Sequence, residues 1–100
     1  MTRADIIIEE VARAFGVSPD HMRGRWRLRE HTRPRHIAMA LCRIHLGMSS
    51  PAVARAFNRE DHTSVLYAQG RAKFWLSRPG IASAADAAWA LARARIKAQP

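Results

Sequence analysis

Four consecutive polar residues, Asp61-His62-Thr63-Ser64, carry the densest hydrogen-bonding chemistry of the sequence, and we name them the polar turn. Short donors and acceptors in the first turn of a helix can enter the major groove of duplex DNA and meet the edges of the bases. Proton transfer within the polar turn is disfavoured, because adjacent helical residues point apart and no nucleophile or pocket signature accompanies them. The pattern therefore favours recognition of nucleic acid, and we expect no enzyme.

Two predicted helices joined by a tight turn position these residues. Ser50 can cap the first helix, with Pro51 at its first position, where a proline loses no helical hydrogen bond. Asn58 tolerates a left-handed backbone, so it can end this helix and open a turn of about three residues before a second helix near Asp61. The inward-facing residues are Val53, Ala54 and Phe57 on the first helix and Val65, Ala68 and Ala72 on the second.

A family resemblance rests on these residues. Phe57, a short turn and the run Asp61 to Leu66, with Arg33-Pro34-Arg35 opening a helix upstream, resemble the C-terminal DNA-binding domain (domain IV) of the bacterial replication initiator DnaA. The resemblance runs from roughly Ile6 to Leu76. It implies an all-α fold of about five to six helices, of the Trp repressor-like type. It also implies that a helix-turn-helix reads a short asymmetric duplex site in the major groove, while an arginine enters the adjacent minor groove.

The resemblance also assigns roles to individual residues. It implies base contacts by Asp61, His62, Thr63 and Ser64 in the major groove and by Arg33 in the minor groove. Positions that lie against the DNA backbone are matched by Ser50, Pro51 and Tyr67. The family usually has two glycines and a basic residue before the Asp-His-Thr run, where this chain has Asn58, Arg59 and Glu60. Because Glu60 repels phosphate where the family has a cation, the resemblance points to an altered target site.

A basic segment from Arg23 to Arg35 contains six arginines within thirteen residues. The alternation of arginines with Trp26 and Leu28 is compatible with a strand, but a basic loop is favoured because no partner strand is predicted. The segment is interpreted as a phosphate clamp, with a solvated surface loop as the alternative. Since Arg33 precedes a proline, its backbone is expected outside the helical region, with its side chain projecting from the joint. The arginines assigned to the DNA backbone are Arg25, Arg27, Arg29 and Arg35.

The net charge of +9 and an isoelectric point near 11.6 are extreme for a chain of 100 residues. Such a field favours nucleic acid or an anionic membrane surface, and it predicts binding that weakens steeply with salt. Fifteen of the 17 basic residues are arginines, which suit bidentate contacts to phosphate and guanine, although a genome rich in G and C produces the same bias. A single domain core is expected at this length.

Other helices are predicted on both sides of the helix-turn-helix. One runs from Asp5 to Phe15 and stops at Gly16, and a short helical turn capped by Ser18 reaches Met22 and ends by Gly24. A third helix is expected from Pro34 to Leu46. Its inner residues are predicted to be Ile37, Ala38, Leu41, Ile44 and His45.

The C-terminal part begins after a break at Arg78-Pro79-Gly80, so we divide the chain into a DNA-binding domain at 1–78 and a helical segment at 79–100. The run Ser83-Ala84-Ala85-Asp86 is interpreted as a capping box that starts an alanine-rich helix reaching about Lys97. A stripe of Trp89, Ala92 and Ile96 either packs on the domain or docks a partner protein or a second copy.

Several classes of site and location are disfavoured. Cys42 is the single cysteine, and its spacing of three from His45 lacks the second ligand pair of a zinc site, so no metal or disulfide is expected. No phosphate-binding glycine loop is present, which argues against a bound nucleotide or other cofactor. The longest apolar run, Ile37 to Cys42, is too short to cross a bilayer, and the acidic N-terminus is unlike a signal peptide. Because only five residues precede Ile6, no ATPase module is expected upstream, and we expect a cytoplasmic, nucleoid-bound protein.

Two functional hypotheses follow, and both have double-stranded DNA as the partner. The first is a transcription regulator, an activator that recruits a partner protein linked to RNA polymerase. Small DnaA-like activators of gene transfer agent clusters, which are phage-derived genes of alphaproteobacteria, are similar in size and layout. The alternative is a modulator of replication initiation that competes for DnaA boxes. A nonspecific nucleoid protein held only by the basic segment is a third interpretation, which the ordered polar turn argues against.

Overall fold

The computed structural model describes residues 1–24 and 29–100, without the side chain of Arg29. The described residues form six helices and no strand, so the predicted all-α fold is confirmed. The helices are α1 (Arg3–Phe15), α2 (Pro19–Arg23), α3 (Arg29–Leu46), α4 (Ser50–Ala56), α5 (Thr63–Leu76) and α6 (Pro79–Lys97).

Helix α1 supplies much of the core and is closed at both ends by local sequence signals. The Thr2 hydroxyl accepts from the Asp5 N–H at 3.0 Å, and the Asp5 carboxylate accepts from the Thr2 N–H at 3.1 Å, which completes a capping box. Gly16 ends the helix with a left-handed φ of 70°, as its position predicts. The short α2 follows, and the serine predicted to cap it, Ser18, accepts from the Asp20 N–H.

Helix α3 begins at Arg29, so the expected start at Pro34 is wrong. Pro34 lies inside the helix and is buried, and the backbone of Arg33 is helical, against the prediction that proline would force it out. Packing of α3 against α1 and α5 outweighs the local preference of the residue before proline.

The inner face of α3 was predicted correctly for its middle and wrongly for its end. Ile37, Ala38 and Leu41 are buried, whereas Ile44 is 63% exposed and His45 is exposed. The last turn of α3 is therefore only partly covered by the helices packed on it. Its His45 ring stacks on Trp89 of α6, with centroids 4.1 Å apart.

Helices α4 and α5 form the helix-turn-helix. The capping residue of α4 is Ser49, whose hydroxyl accepts from the Ala52 N–H at 3.2 Å, and the assignment of this role to Ser50 is wrong by one residue. Asn58 has the predicted left-handed backbone, with φ of 56°. The predicted inward residues of both helices are buried: Val53, Ala54, Phe57, Val65, Ala68 and Ala72.

Helix α6 begins at Pro79, four residues before the predicted capping box, so that Ser83 and Asp86 lie within the helix. The box was wrong because Pro79, after the extended Arg78, already provides a first helical residue that needs no N–H partner. The helix packs along α1 through Ala85, Ala88 and Ala92, while Trp89 and Ile96 are half-buried beside them. Within the described parts of the chain, no helix has the length and apolar character required to span a bilayer.

Candidate nucleic-acid interface

The polar turn forms a compact cap on the N-terminus of α5. The Asp61 carboxylate accepts from the Thr63 N–H at 2.9 Å, and the Ser64 hydroxyl donates to the Asp61 carbonyl at 2.9 Å. The first of these bonds satisfies the Thr63 N–H, one of the groups that the first turn of a helix leaves without a partner. Asp61 thereby fixes the start of α5 at Thr63, two residues after the predicted start. The arrangement of the four side chains around the helix follows from hydrogen bonds within the polar turn itself.

The side chains of the polar turn lie on the surface and share one end of α5. The Asp61 and His62 side chains are 70% and 53% exposed, Thr63 is exposed and Ser64 is half-buried. The buried residues of α5, from Val65 onward, lie on the opposite face and hold the helix against the core. The structure therefore brings the four sequence-predicted residues together in one accessible turn.

Electrostatics fix Asp61 as an acceptor. The hydrogen bond from the Thr63 backbone is the main cause that lowers the pKa of Asp61, and nearby His62 lowers it further. The carboxylate is therefore ionised at neutral pH and can only accept hydrogen bonds. An acceptor in the major groove suits the amino group of cytosine, while imidazole and hydroxyl groups next to it can donate or accept.

Tyr67 lies one helical turn after Thr63 and is 64% exposed, so its ring is available beside the polar turn. Its ring meets the edge of His36 of α3, with centroids 5.7 Å apart. Burial, followed by the charges of Arg35, Arg71 and Arg59, lowers the pKa of His36 to about 4. A neutral His36 thus supports Tyr67, whose contact with the DNA backbone stays a prediction.

Ser50 and Pro51, the other predicted backbone contacts, differ in position. Pro51 is exposed on the first turn of α4, whereas Ser50 is 9% exposed. The Ser50 hydroxyl accepts from Arg43 Nη1 at 2.7 Å, and the same nitrogen donates to the Met48 carbonyl at 3.5 Å. Arg43, which the sequence pattern did not single out, therefore connects the end of α3 to the start of α4. The Ser50 hydroxyl already has a hydrogen-bond donor within the protein, and its contact with the DNA backbone stays a prediction.

Arg35 contradicts the expectation that it contacts the DNA backbone. Its side chain is 6% exposed, and its Nε donates to the Met22 carbonyl at 3.0 Å. A second nitrogen donates to the His21 carbonyl at 3.3 Å. Burial and then the charge of Arg59 lower the pKa of Arg35 to about 10, which leaves it protonated at neutral pH. Arg35 binds the C-terminal carbonyls of α2, an interaction between distant residues that no local pattern indicates.

Arg33 is not projected from a joint as predicted. Its guanidinium lies 4.3 Å from the centroid of the Trp75 ring, a cation–π distance. Trp75 follows Thr63 by twelve residues on α5, about 18 Å at the helical rise per residue, so Arg33 lies apart from the polar turn. Its predicted minor-groove contact stays a prediction.

The centre of the basic segment lies outside the described residues. This applies to Arg25 and Arg27 and to the side chain of Arg29, whose backbone begins α3. The helix-turn-helix nevertheless contacts the start of the segment, because Arg59 donates to the Gly24 carbonyl at 2.7 Å. Arg59 is thus a second connecting arginine that the sequence pattern did not identify.

The residues considered for a metal site lie in different surroundings. Cys42 is buried, and burial followed by the charge of Asp5 raises the pKa of its thiol to about 12. His45 is exposed and stacks on Trp89. Residues 1–24 and 29–100 contain no group of three or more His, Cys, Asp or Glu side chains placed to hold a metal ion.

Comparison with known proteins places this arrangement in context. The family model of the bacterial DnaA protein helix-turn-helix matches residues 4–71. Chromosomal replication initiator protein DnaA of Corynebacterium jeikeium is 39% identical over 71 residues, which are 71% of this chain and 12% of that protein. The DnaA of Thermus thermophilus is 42% identical over 62 residues, covering 62% and 14%. The DnaA of a Picosynechococcus species is 41% identical over 63 residues, covering 63% and 14%.

A solved crystal structure of a DNA replication initiation factor has a similar fold, with a TM-score of 0.75 and 29% identity. The match covers 86% of this chain and 28% of that one. The chain thus spans only about an eighth of the length of the DnaA relatives cited above. The family model covers more than half of the chain and includes α4, the turn and the polar turn. The chain belongs to the bacterial DnaA helix-turn-helix family and carries its sequence-specific DNA-binding domain.

Proposed function

We propose that this protein is a transcription regulator that binds a specific duplex DNA site and activates genes together with a partner protein linked to RNA polymerase. Its target sites lie in the promoters of phage-derived gene clusters such as gene transfer agents. In this account the protein binds nucleic acid and is not an enzyme, and it resides on the nucleoid.

The observation that carries the binding part of the proposal is the exposed polar turn. A fixed carboxylate, an imidazole and two hydroxyls follow each other on one turn of α5, where base edges can reach them. Phosphate contacts alone do not distinguish sequences, so an ordered row of base-reading groups supports a specific site.

Glu60 supports a site that differs from the DnaA box. This residue is exposed and directly precedes the polar turn, so its negative charge lies close in sequence to the N-terminal end of α5 that we propose contacts DNA. A carboxylate repels phosphate and accepts hydrogen bonds from exposed amino groups of bases. A changed site means that this protein does not bind the DnaA boxes of the replication origin, which favours binding at a separate set of promoters.

Genome-wide mapping tests the proposal. The protein is immunoprecipitated from its host with its bound DNA, and transcripts are profiled in a strain that lacks it. We expect peaks at a few promoters whose transcripts fall when the gene is deleted. A His62→Ala strain is the matched control, because it should lose the peaks while the protein is still produced.

A second candidate function is a modulator of replication initiation. The observation that favours it is the identity of 39–42% with replication initiators over the helix-turn-helix. In the same experiment this function predicts peaks at the replication origin and altered replication timing. Such peaks, with promoter transcripts unchanged by the deletion, would contradict regulation of transcription.

A further inference from the structure

Three arginines converge on two aromatic rings at the C-terminal end of α5. The Arg33 guanidinium lies 4.3 Å from the Trp75 centroid, and that of Arg71 lies 5.1 Å from Trp75 and 5.3 Å from Phe74. The Arg78 guanidinium lies 5.1 Å from the Phe74 centroid. We name these five residues the arginine–aromatic cluster. They line an open cleft of about 430 Å³ together with Ile81 of α6.

The cluster has no negative partner in the described parts of the chain. No carboxylate of the described residues lies within 4.0 Å of the guanidinium groups of Arg33, Arg71 or Arg78, and these groups make no hydrogen bond to another described residue. The Arg33 Nε is buried and has no hydrogen-bond partner among these residues. Three like charges held together repel one another, so an anion in the cleft would relieve the repulsion and satisfy free donors.

The arrangement of the rings restricts the chemistry of the ligand. Phe74 is 45% exposed, but two guanidiniums already lie within cation–π distance of its ring. Its ring is therefore used to orient arginines, which leaves little face for stacking an unpaired base. Oriented guanidiniums present forks of N–H donors that fit the oxygen atoms of a phosphate.

The position of the cluster relates it to the DNA that the polar turn would meet. Tyr67, Arg71 and Phe74 follow Thr63 at spacings of three and four, so they lie along one side of α5. Trp75 is about 18 Å along the helix from Thr63, which exceeds the roughly 12 Å width of the major groove. When α5 lies across the groove with its first turn at the base edges, the cluster is therefore past the groove edge, beside the flanking backbone.

We propose that the arginine–aromatic cluster is a second DNA contact, which binds backbone phosphate beyond the bases read by the polar turn. This inference rests on the proposed binding of duplex DNA and adds Arg71 and Arg78 to the interface. Phe74 is a positioning residue that holds the two guanidiniums toward the phosphate. Arg71 and Arg78 lengthen the footprint and increase the salt dependence of binding without reading sequence.

The test compares wild type with the Arg71→Gln/Arg78→Gln double variant on duplexes that contain the binding motif of the wild type, obtained by selection from random duplexes, with short or long flanks. We expect the variant to bind the long duplex about 10-fold more weakly, and to show a salt slope lower by about 1–2, since each phosphate contact contributes about 0.9. On the short duplex the two proteins should bind alike. The matched control is Arg93→Gln/Lys97→Gln, which removes two exposed charges from α6.

Equal slopes for wild type and the double variant on the long duplex would overturn the proposal. So would selective loss of binding to a glutamate-rich peptide with DNA binding unchanged, because the cluster would then dock an acidic protein segment. The Phe74→Leu variant keeps every charge, and we expect it to lose about 3-fold on the long duplex only. The ratio of affinities for the specific duplex and for random duplex distinguishes failure of this inference from failure of the proposed function. This ratio should be unchanged in the double variant, and it should fall in His62→Ala.

Discussion

Two groups of arginines, near opposite ends of α6, use the same side chain in different ways. The α1–α6 ion cluster comprises Glu9, Glu10, Arg13 and Arg95. Arg95 donates to Glu10 at 2.7 Å and to Glu9 at 2.8 Å, and Arg13 donates to Glu10 at 2.9 Å. In the arginine–aromatic cluster, the described residues supply rings but no carboxylate. Local countercharge, and not residue type, therefore decides whether an arginine holds the fold together or is available to a ligand.

The ion cluster connects helices that are far apart in sequence. Glu10 is 1% exposed and accepts from both arginines, and Arg95 lies on the last turns of α6. The hydrogen bonds to Glu9 and Glu10 are the main causes that raise the pKa of Arg95. Because the carboxylate of Glu10 is satisfied on both sides, the cluster fixes α6 to α1 and contributes to stability.

The largest effect is expected from breaking the ion cluster. Glu10→Ala should lower the free energy of unfolding by about 2–4 kcal/mol, because a buried side chain is removed together with its charge-assisted hydrogen bonds to Arg13 and to Arg95 of α6. Urea denaturation followed by circular dichroism measures the change. Asp86→Ala, an exposed acid within α6, is the control and should change stability by less than about 0.5 kcal/mol. A loss of stability in Glu10→Ala as small as that in the control would contradict a stabilising role of the ion cluster.

The next largest effect is expected at His62 of the polar turn. His62→Ala should cost about 1–3 kcal/mol on the specific site and much less on random duplex, since base contacts specify and phosphate contacts position. Titration of both duplexes at one salt concentration measures the two losses. His45→Ala removes another exposed histidine, at the far end of α3, and should leave both affinities unchanged. Equal losses of His62→Ala on the two duplexes would contradict a base contact.

Acidification gives a smaller effect on stability through His36. Its pKa is lowered to about 4 in the folded chain, mainly by burial, from about 6.5 in the unfolded chain. Between these values the unfolded chain binds the proton and the folded chain does not, so stability is lost as the pH falls from about 6.5 to 4. Discounted for solvent at the half-buried ring, the loss is on the order of 1–2 kcal/mol.

Denaturation at several pH values compares wild type with His36→Gln. The variant should lose less stability across this window, because glutamine takes up no proton. His45→Gln, at an exposed position, should follow the wild-type profile. Parallel profiles for wild type and His36→Gln would show that another group governs the acid response.

The smallest effect concerns charge beside the polar turn. Glu60→Gln removes an exposed negative charge next to Asp61, so affinity for any duplex should rise about 2- to 5-fold at low salt and converge with wild type at high salt. Fluorescence anisotropy over a salt series measures this. The control Asp86→Gln removes an equal charge from α6 and should have a weaker effect. A decrease in affinity confined to the specific site would instead assign Glu60 a direct base contact.

The parts of the structure that the sequence predicted correctly depend on local signals. Gly16 and Asn58 adopt left-handed backbones that few other residues tolerate. Gly16 caps the end of α1, and Asn58 lies in the turn that follows α4. The helical spacing of Val65, Ala68 and Ala72 identified the buried face of α5. The polar turn was identified because its four polar residues are adjacent in the chain.

The errors arose where distant contacts outweigh local preference. Pro34 was expected to start a helix, but packing extends α3 back to Arg29. Arg35 was assigned to the DNA backbone because it lies in a basic run, yet it is buried against carbonyls of α2. Arg33 was expected to project, yet it stacks on a tryptophan more than forty residues later in the chain. Neighbouring residues carry no information about such partners.

Selection of binding sites from a library of random duplexes tests base reading by the polar turn most directly. Wild type should enrich one short asymmetric motif, and His62→Ala, checked for folding by circular dichroism, should enrich a motif relaxed at the position that His62 contacts, while it still retains DNA at low salt. Enrichment of an identical motif by both proteins, to the same extent, would contradict base reading by His62. Failure of the wild type to enrich any motif would contradict sequence-specific binding itself.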